Sequence, residues 1–278
     1  MDSPTPSRRP LRPHKELLIA WTLLLLDEEP IHGYRLHHEL QARGLGIQTA
    51  SMYRWLRKLE VERWVDSSWS EPIEGPRRHV YRLTAQGRAT LHDMSELIAA
   101  MRETYSTFVQ AHAEAVARRG GTVSEVDEDA APVPRAPAVR SAAAAVSTPA
   151  RAAEIGPLRP HKELLVGWLL LHLDAGATYG YDLRREFDAH RLTPDPATVY
   201  RMLRRLESDK WVQSRWLSPA AGPRRRFYRL TTRGRRNLDE IALLIAAIRD
   251  SHDMYLRAYE DRRHHGAAHA SGTPVASA

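Results

Sequence analysis

The 278-residue chain contains no cysteine, which excludes disulfide bonds, thiolate metal sites and cysteine nucleophiles. A reducing compartment agrees with this absence, so we expect a cytoplasmic protein. Phenylalanine occurs only 3 times, so leucine, tryptophan and tyrosine must supply the core. The apolar run from Leu17 to Leu26 is too short to cross a bilayer, which needs about 20 residues, and it indicates a buried helix. The first residues include prolines and no long apolar stretch, so we expect no signal peptide.

Signatures of catalysis are also missing. The sequence has no glycine-rich phosphate loop and no nucleophile motif. The 14 histidines are scattered, and the pairs His37-His38 and His264-His265 are adjacent, which is a poor geometry for a shared metal. We therefore expect no enzyme, with no catalytic residue, no metal site and no cofactor.

The charge of the chain is strongly basic. Its formal net charge is +7 and its pI is about 9.8, which favours an acidic partner without naming one. Hydrophobic residues make up 42% and charged residues 27% of the chain, as is typical of a soluble protein with a real core. The length leaves room for about two domains.

A long internal repeat organises the sequence. The string LRPHKELL begins at Leu11 and recurs at Leu158, an offset of 147 residues, which then holds without a gap to about Arg102. About half of the aligned residues are identical. A repeat of this length indicates a duplicated domain, since solenoid repeats are shorter. We place the two copies at residues 11–118 and 158–263.

The segments outside the copies have a different composition. Residues 119–157 are rich in alanine, proline and serine, and such a segment buries too little apolar surface to offset its ordering entropy. We therefore predict a flexible linker there, and disorder for residues 1–10 and 264–278 on the same grounds.

Each copy has the same predicted order of elements. In the first copy we expect helices over residues 13–26, 33–43 and 50–62, strands over 64–69 and 79–83, and a long helix over 84–117. In the second copy the second, third and long helices are expected to end near residues 191, 209 and 262. A helix, a short polar turn and another helix form a helix-turn-helix, and Thr84 and Thr231 are suited to cap the long helices. The predicted fold class is mainly α with small β wings, as two tandem winged helix-turn-helix domains, each with a long C-terminal helix.

The third helix carries a basic face in both copies. Arg54, Arg57 and Lys58 lie at i, i+3 and i+4 and therefore share one side of the helix. Guanidinium groups match both phosphates and guanine edges. The alternative is a merely solvated face, but recurrence in both copies, directly after a helix-turn signal, favours DNA contact. On another side, Tyr53, Leu56 and Leu59 recur at a spacing of three, which predicts packing on the first two helices.

Residues at the start of such a helix are the ones presented to base edges. The candidate DNA-binding residues are Gln48, Thr49, Ser51, Tyr53, Arg54, Arg57 and Lys58 in the first copy, and Asp195, Thr198, Tyr200, Arg201, Arg204 and Arg205 in the second.

A second basic cluster lies in the loop of each predicted wing. The loops read GPRRHVYRLT and GPRRRFYRLT, and their candidate contacts are Arg77, Arg78, Arg224, Arg225 and Arg226. The tip of a two-stranded ribbon can lie along the DNA backbone or in a minor groove. The alternative is an ordinary hairpin with charged tip residues.

These motifs together resemble the PadR transcriptional regulators. The strings HGYRLHHEL, SMYRWLRKLE and GPRRHVYRLTAQGRATL follow the order HGY, a Tyr-centred LxxLE helix and GPxRxxYxLTxxG, and the second copy repeats them as YGYDLRREF, TVYRMLRRLE and GPRRRFYRLTTRGRRNL. The resemblance implies a winged helix whose C-terminal helix pairs with a second protomer on a palindromic operator, usually in a repressor. It also implies recognition helices and wing contacts at the residues named above.

The sequence departs from the family pattern in three respects. Arg54 and Arg201 stand where the family more often has proline, Arg63 and Lys210 stand where a glycine is expected, and the module occurs twice in one chain. We therefore expect self-association through the C-terminal helices, either within one chain as a pseudo-dimer or between two chains. A coil of about 37 residues spans roughly 30–37 Å, comparable with the ~34–36 Å between half-sites.

The two copies differ in charge. Residues 11–118 contain 14 basic and 14 acidic side chains, whereas residues 158–263 contain 21 and 14. Because phosphate contacts dominate sequence-independent affinity, we expect the second copy to supply more of it. Two alternatives remain at this point. One is a ligand-sensing repressor in which Trp21 and Trp168 hold a small apolar effector, although these residues also suit a core; the other is a protein-interaction adaptor that has lost DNA binding.

Overall fold

The computed structural model describes residues 15–69, 79–120, 162–190, 192, 194–217 and 224–270. The predicted tail 1–10, most of the linker, and the wing arginines Arg77 and Arg78 lie outside these residues. Within the described ranges the two copies contain the same elements at the same 147-residue offset, so the predicted duplication and fold class are confirmed.

The secondary structure of the first copy begins with a helix and ends with a long one. Its elements are α1 (Lys15–Glu28), β1 (Ile31–His32), α2 (Gly33–Ala42), α3 (Thr49–Val61), β2 (Val65–Trp69), β3 (His79–Leu83) and α4 (Ala85–Gly120). The second copy contains α5 (Lys162–Ala175), β4 (Thr178–Tyr179), α6 (Gly180–Ala189), α7 (Pro196–Ser208), β5 (Val212–Leu217), β6 (Arg225–Leu230) and α8 (Thr232–Ala270). The wing strands and the helix-turn-helix fall within one or two residues of the predicted positions.

Each wing is a three-stranded antiparallel sheet, with the order β1-β3-β2 in the first copy and β4-β6-β5 in the second. The two-residue strands β1 and β4 were not predicted. In the first copy Ile31 pairs with Tyr81, while Val65 pairs with Leu83. The added strand β1 directly precedes α2 and pairs with β3, so it connects the helix-turn-helix to the sheet of the wing.

We call the elements that precede the long helix of each copy its head: α1 to β3 in the first copy and α5 to β6 in the second. The first helix of each copy lies at the centre of its head. Every residue of α1 from Leu17 to Leu26 is buried, as its apolar circumference predicts. The same holds for α5 from Leu164 to Leu173. Helix α1 packs against α2 and β3, and α5 packs against α6 and β6 in the same way.

A tight junction connects α3 or α7 to the wing and the long helix of the same copy. Arg63 and Lys210 adopt left-handed backbone conformations, with φ of 59° and 60°. This conformation explains why a glycine is expected there. Thr84 Oγ1 donates to the Arg63 carbonyl at 2.7 Å and accepts from the Gly87 amide at 2.9 Å, so it caps α4 as predicted. A β-carbon at Gly87 would collide with the Trp64 carbonyl oxygen.

The long helices extend further than expected. Helix α4 ends at Gly120 and α8 at Ala270, whereas the sequence predicted ends near 117 and 262. Helix α8 therefore continues into the segment 264–278, for which the sequence predicts disorder, and residues 271–278 lie outside the described residues. Within the described residues, no helix is long and apolar enough to cross a membrane.

The chain folds into two compact units, which divide it differently from the sequence repeats. Unit 1 contains residues 1–99 and 251–278, and unit 2 contains residues 100–250. Unit 1 therefore combines the first head and the first part of α4 with the last part of α8. Unit 2 combines the second head and the first part of α8 with the last part of α4.

The helix from the other copy is part of the core of each unit. In unit 1, Tyr255 of α8 is fully buried and packs against Trp21 of α1. In unit 2, Phe108 of α4 is fully buried and packs against Trp168 of α5. A β-carbon at Gly167 would lie 2.8 Å from the Phe108 ring, so the glycine lets this helix approach closely.

Near the end of α1 and of α5, an aspartate forms an ion pair with an arginine from the long helix of the other copy. In unit 1, Asp27 accepts Arg262 of α8, whose guanidinium also donates to the Asp27 carbonyl at 2.6 Å. In unit 2, the carboxylate of Asp174 is almost completely buried and accepts Arg119 of α4 at 3.3 Å and Arg235 at 2.8 Å. Each head thus binds an arginine from the long helix of the other copy.

Candidate nucleic-acid interface

The basic face of α3 is exposed as the sequence predicts. Arg54, Arg57 and Lys58 are all exposed. The opposite side of the helix is held in the core by Met52, Leu56 and Leu59, at i, i+4 and i+7. In α7 the exposed residues are Arg201, Arg204 and Arg205, and the buried ones are Val199, Met202, Leu203 and Leu206.

The sequence placed Tyr53 and Tyr200 on the packing side, and this is wrong. Their side chains are 44% and 49% exposed. The position before each tyrosine, Met52 or Val199, fills the core instead, because the helical spacing of four brings it into line with the leucines. Both tyrosines therefore belong to the exposed surfaces of α3 and α7.

A glycine supports each of these tyrosines. A β-carbon at Gly33 would lie 2.9 Å from the Tyr53 ring, and one at Gly180 would lie 3.2 Å from the Tyr200 ring. The glycines of the HGY and YGY strings thus leave space for the recognition-helix tyrosine.

The helix-start residues differ in structure as well as in sequence. Gln48 is the N-cap of α3, and its exposed side chain makes no capping hydrogen bond. Thr49 is exposed beside it, and Ser51 accepts a hydrogen bond from Arg54 at 3.1 Å.

In the second copy Asp195 occupies the position of Gln48 and is the N-cap of α7. Asp195 accepts the Ala197 amide at 2.8 Å and the Thr198 hydroxyl at 2.6 Å, so it caps α7. These hydrogen bonds lower the pKa of Asp195. Thr198 in turn accepts a hydrogen bond from Arg201 at 2.8 Å. Asp195 therefore holds the first turn and positions Arg201.

The wing arginines of the second copy separate into two groups. Arg224 and Arg225 are exposed. Arg226 is half-buried and donates to Glu207 of α7 at 2.7 Å and to Ser214 at 2.8 Å. Its guanidinium joins the wing to α7, so the structure gives Arg226 a positioning role within the protein.

The first copy has a groove where the second has this bridge. His79 occupies the position of Arg226, and Glu60 that of Glu207. The groove has a volume of about 720 Å³ and lies between α3, β3 and the start of α2. Arg54, Arg57 and Tyr53 line it together with His79. Arg54 and Arg57 of α3 therefore lie beside a concave surface, at the place where the second copy has the Arg226–Glu207 pair.

Sequence reasoning missed two exposed tryptophans on the wings. Trp69 and Trp216 are 59% and 60% exposed. Each lies four residues after a buried valine on its strand, so it shares the sheet face that looks toward the recognition helix. The signal was present in the sequence, because the tryptophan recurs at the same offset in both copies.

Trp21 and Trp168 are both buried, as a core position requires. Arg43 lies over the Trp21 ring at 5.0 Å, whereas His190 stacks on Trp168 with ring centroids 3.5 Å apart. A cavity of about 70 Å³ borders Trp168, His172 and His190. Burial lowers the pKa of His190 to about 4, with a smaller effect from nearby His172. Within the described residues, no cluster of metal-ligating side chains occurs.

Comparison with known proteins agrees with this geometry. Residues 22–93 and 169–240 both match the Transcriptional regulator PadR-like family. An uncharacterized protein of Lysinibacillus sphaericus is 25% identical over 103 residues, which cover 36% of this chain and 92% of that protein.

Similar solved structures include a PadR-like transcriptional regulator from Bacillus cereus, which is 23% identical with a TM-score of 0.33 and covers 34% of this chain and 94% of its own. Bacillus subtilis PadR in complex with operator DNA is 18% identical with a TM-score of 0.26 and covers 39% of this chain and 75% of its own. The two family matches together span more than half of the sequence. The chain therefore belongs to the PadR-like family of transcriptional regulators and contains the family's domain twice.

Proposed function

We propose that this protein binds double-stranded DNA as a sequence-specific transcriptional repressor, with α3 and α7 as its two recognition helices. The observation that supports this most directly is the exposed basic face that recurs on both helices, Arg54, Arg57 and Lys58 against Arg201, Arg204 and Arg205. A major groove admits an α-helix, and arginine pairs with guanine edges or phosphates there.

The two half-sites of the operator differ. Gln48 presents a free amide at the start of α3, and such an amide suits the paired donor and acceptor of adenine. At the start of α7, Asp195 is occupied by capping and instead directs Arg201 outward. An operator read by both helices is therefore pseudo-palindromic, with different preferences at the matching position.

The wings supply backbone contacts. Arg224 and Arg225 are exposed at the start of β6, and Arg77 and Arg78 occupy the matching positions of the first copy. The exposed rings of Trp69 and Trp216 lie on the wing face that is turned toward the recognition helix. A DNA strand beside that helix would pack its sugars against these rings.

One chain acts as the pairing unit in this proposal. Each compact unit is completed by a long helix of the other copy, through Trp21 with Tyr255 and Trp168 with Phe108. In this arrangement a single chain supplies the two recognition helices that a single-module regulator obtains by dimerising. Measurement of mass in dilute solution tests this: the pairing proposed here gives one 31.6 kDa chain, and a stable two-chain species would contradict it.

An effector is not part of the proposal. The cavity beside Trp168 holds about 70 Å³, whereas pockets for drug-sized ligands have about 300 Å³ or more. Trp21 is covered by Tyr255 and Arg43. Both tryptophans therefore fit the core interpretation. The adaptor hypothesis is disfavoured because both basic faces are retained.

The deciding experiment maps bound genomic DNA and then measures binding to the recovered site. We expect Arg57→Ala and Arg204→Ala each to weaken binding, whereas Arg257→Ala, which removes an exposed arginine from α8, serves as the charge-matched control. Binding that responds equally to all three changes would contradict specific use of the recognition helices. Derepression of the mapped genes on deletion tests the sign of regulation.

A further inference from the structure

The contacts between copies come in matched pairs. The two long helices are related by the 147-residue offset, and two contacts between copies occur at equivalent positions in both units: an aromatic pair and a pair that includes a histidine. The residues at these equivalent positions differ between the two units.

The aromatic pairs of the two units have the same geometry but differ in polarity. Trp21 and Tyr255 meet with ring centroids 5.4 Å apart at 78°, and Trp168 and Phe108 meet at the same distance and 80°. Tyr255 and Phe108 occupy equivalent positions, so the second unit lacks the hydroxyl of the first.

The residue that faces this hydroxyl also differs between the two units. The Tyr255 hydroxyl lies 2.7 Å from Ser95 Oγ, and Ser95 itself donates to the Leu91 carbonyl at 2.8 Å, so the tyrosine donates to the serine. Ser95 is 3% exposed. The position equivalent to Ser95 is Ala242, which has no hydroxyl to accept this bond. Tyrosine therefore occurs with serine, and phenylalanine occurs with alanine.

A second pair near the ends of the helices also differs between units. In unit 1, His92 Nδ1 lies 3.2 Å from the hydroxyl of Tyr259. In unit 2 the equivalent positions hold Asp239 and His112, and the imidazole Nε2 lies 2.9 Å from the carboxylate. Arg119 adds a second contact to Asp239 at 3.3 Å.

Pairing a copy with itself would break one of the two matches in each case. Two second copies would place the buried Tyr255 hydroxyl against Ala242, where no side-chain acceptor exists. Two first copies would place His112 against His92, so that His112 would lose the carboxylate of Asp239 and His92 would lose the hydroxyl of Tyr259. A buried polar group without a partner is costly, and each symmetric self-pair would contain its mismatch twice.

We propose that each copy's long helix recognises the other copy and discriminates against its own, so that the duplicated modules form an obligately heterotypic pair. This inference rests on the helix pairing in the proposed function, but not on whether the pair forms within one chain. Its determinants are the Ser95–Tyr255 hydrogen bond with its Ala242–Phe108 counterpart, and the His92–Tyr259 contact with its Asp239–His112 counterpart.

The test uses the whole protein with a specific protease site inserted between residues 121 and 156. After cleavage, the complex of both fragments is unfolded in urea, refolded by dialysis and analysed by native mass spectrometry. We expect pairs of unlike fragments to exceed pairs of like fragments by about tenfold beyond the statistical ratio, which corresponds to about 1.4 kcal/mol. A statistical mixture, or an excess of like pairs, would overturn the inference.

Variants of the intact chain provide a measurement that needs no cleavage. Phe108→Tyr places a hydroxyl opposite Ala242, so it should lower the melting temperature, and adding Ala242→Ser should restore it. An unchanged melting temperature for Phe108→Tyr, or no rescue by Ala242→Ser, would also overturn the inference. The mass of the uncleaved chain separates the two proposals, because a two-chain species built from unlike pairs would contradict intramolecular pairing and leave heterotypic recognition intact.

Discussion

Tyr255 stands edge to face against Trp21, although the two residues belong to different copies of the repeat. The ring of Tyr255 is fully buried, and its hydroxyl is bonded to Ser95 at the start of the first long helix. Burial raises the pKa of this hydroxyl, so it remains a protonated donor throughout the ordinary pH range. The first head thus depends on a residue near the end of the second copy for part of its core.

The hydrogen bond between Tyr255 and Ser95 should appear as a coupling energy. We expect Tyr255→Phe and Ser95→Ala to be non-additive by about 0.5–1.5 kcal/mol in the free energy of unfolding, because either change alone removes the bond. Urea unfolding of both single variants and the double variant measures this. Tyr34→Phe, at a hydroxyl-bearing ring that is 79% exposed, should leave stability unchanged. Additive effects would show that the bond adds nothing to stability.

The wing arginines should differ in their dependence on salt. Replacing Arg224 and Arg225 together by alanine should reduce the slope of log affinity against log salt by about two, since each phosphate contact contributes about 0.9. Arg226→Ala should change this slope less, because the guanidinium is already paired with Glu207. Fluorescence anisotropy with the mapped operator at several salt concentrations measures the slopes, and a larger effect of Arg226→Ala would contradict the assignment.

Capping should distinguish the two recognition helices. Asp195→Ala removes an N-cap that accepts from Ala197 and Thr198, so it should lower thermal stability on the scale of one lost helix cap. Gln48→Ala, the matched change in the first copy, removes no cap and should have little effect on stability. Because the folded-state pKa of Asp195 is lowered, its contribution is present above about pH 3.9 and is lost as the pH falls further. Calorimetry at pH 7 and pH 3 checks both statements.

The left-handed residue before each wing should accept glycine. Arg63 has φ of 59°, a conformation in which a β-carbon is unfavourable, so Arg63→Gly should raise the free energy of unfolding by about 0.5–1 kcal/mol. Arg63→Ala retains the β-carbon and should give no such gain. Lys210→Gly offers the same comparison in the second copy. Denaturant unfolding decides between relief of backbone strain and loss of the arginine side chain.

Acid should destabilise the second head through His190. Its pKa is lowered to about 4 by burial, and the unfolded chain has a value near 6.5. The unfolded state therefore binds the proton more readily, and stability should decline as the pH falls from about 6.5 toward 4. His190→Phe, which keeps a ring against Trp168, should reduce this decline, whereas the exposed His38→Gln should not. Melting temperatures between pH 7 and pH 4.5 provide the measurement.

Several features of the fold and the interface could be predicted from the sequence because they depend on local periodicity. The helix-turn-helix, the wing strands and the basic triplets follow from spacings of two, three and four residues, which the backbone geometry translates directly into faces. The two-residue strands β1 and β4 could not be predicted, because a strand of that length has no periodicity and is defined only by its partner.

Side-chain roles were harder to predict than side-chain positions. Tyr53 fits a spacing of three with Leu56 and Leu59, but Met52 fits a spacing of four, and only the packed helix shows which of them is buried. Arg226 and Arg225 are identical neighbours in the sequence. The position of Glu207 on α7 decides that the first is bonded within the protein and the second is exposed.

By itself the sequence determined the duplication, the winged helix-turn-helix of each copy and the positions of the recognition-helix cations, because these depend on residue identity and short-range geometry. Only the tertiary structure decided that the cores are shared. The long helices extend beyond their own heads, so each must bury its distant apolar face on another surface, and the other copy provides it through Trp21 with Tyr255 and Trp168 with Phe108. Contacts over such separations depend on how complete helices pack, which no local pattern records.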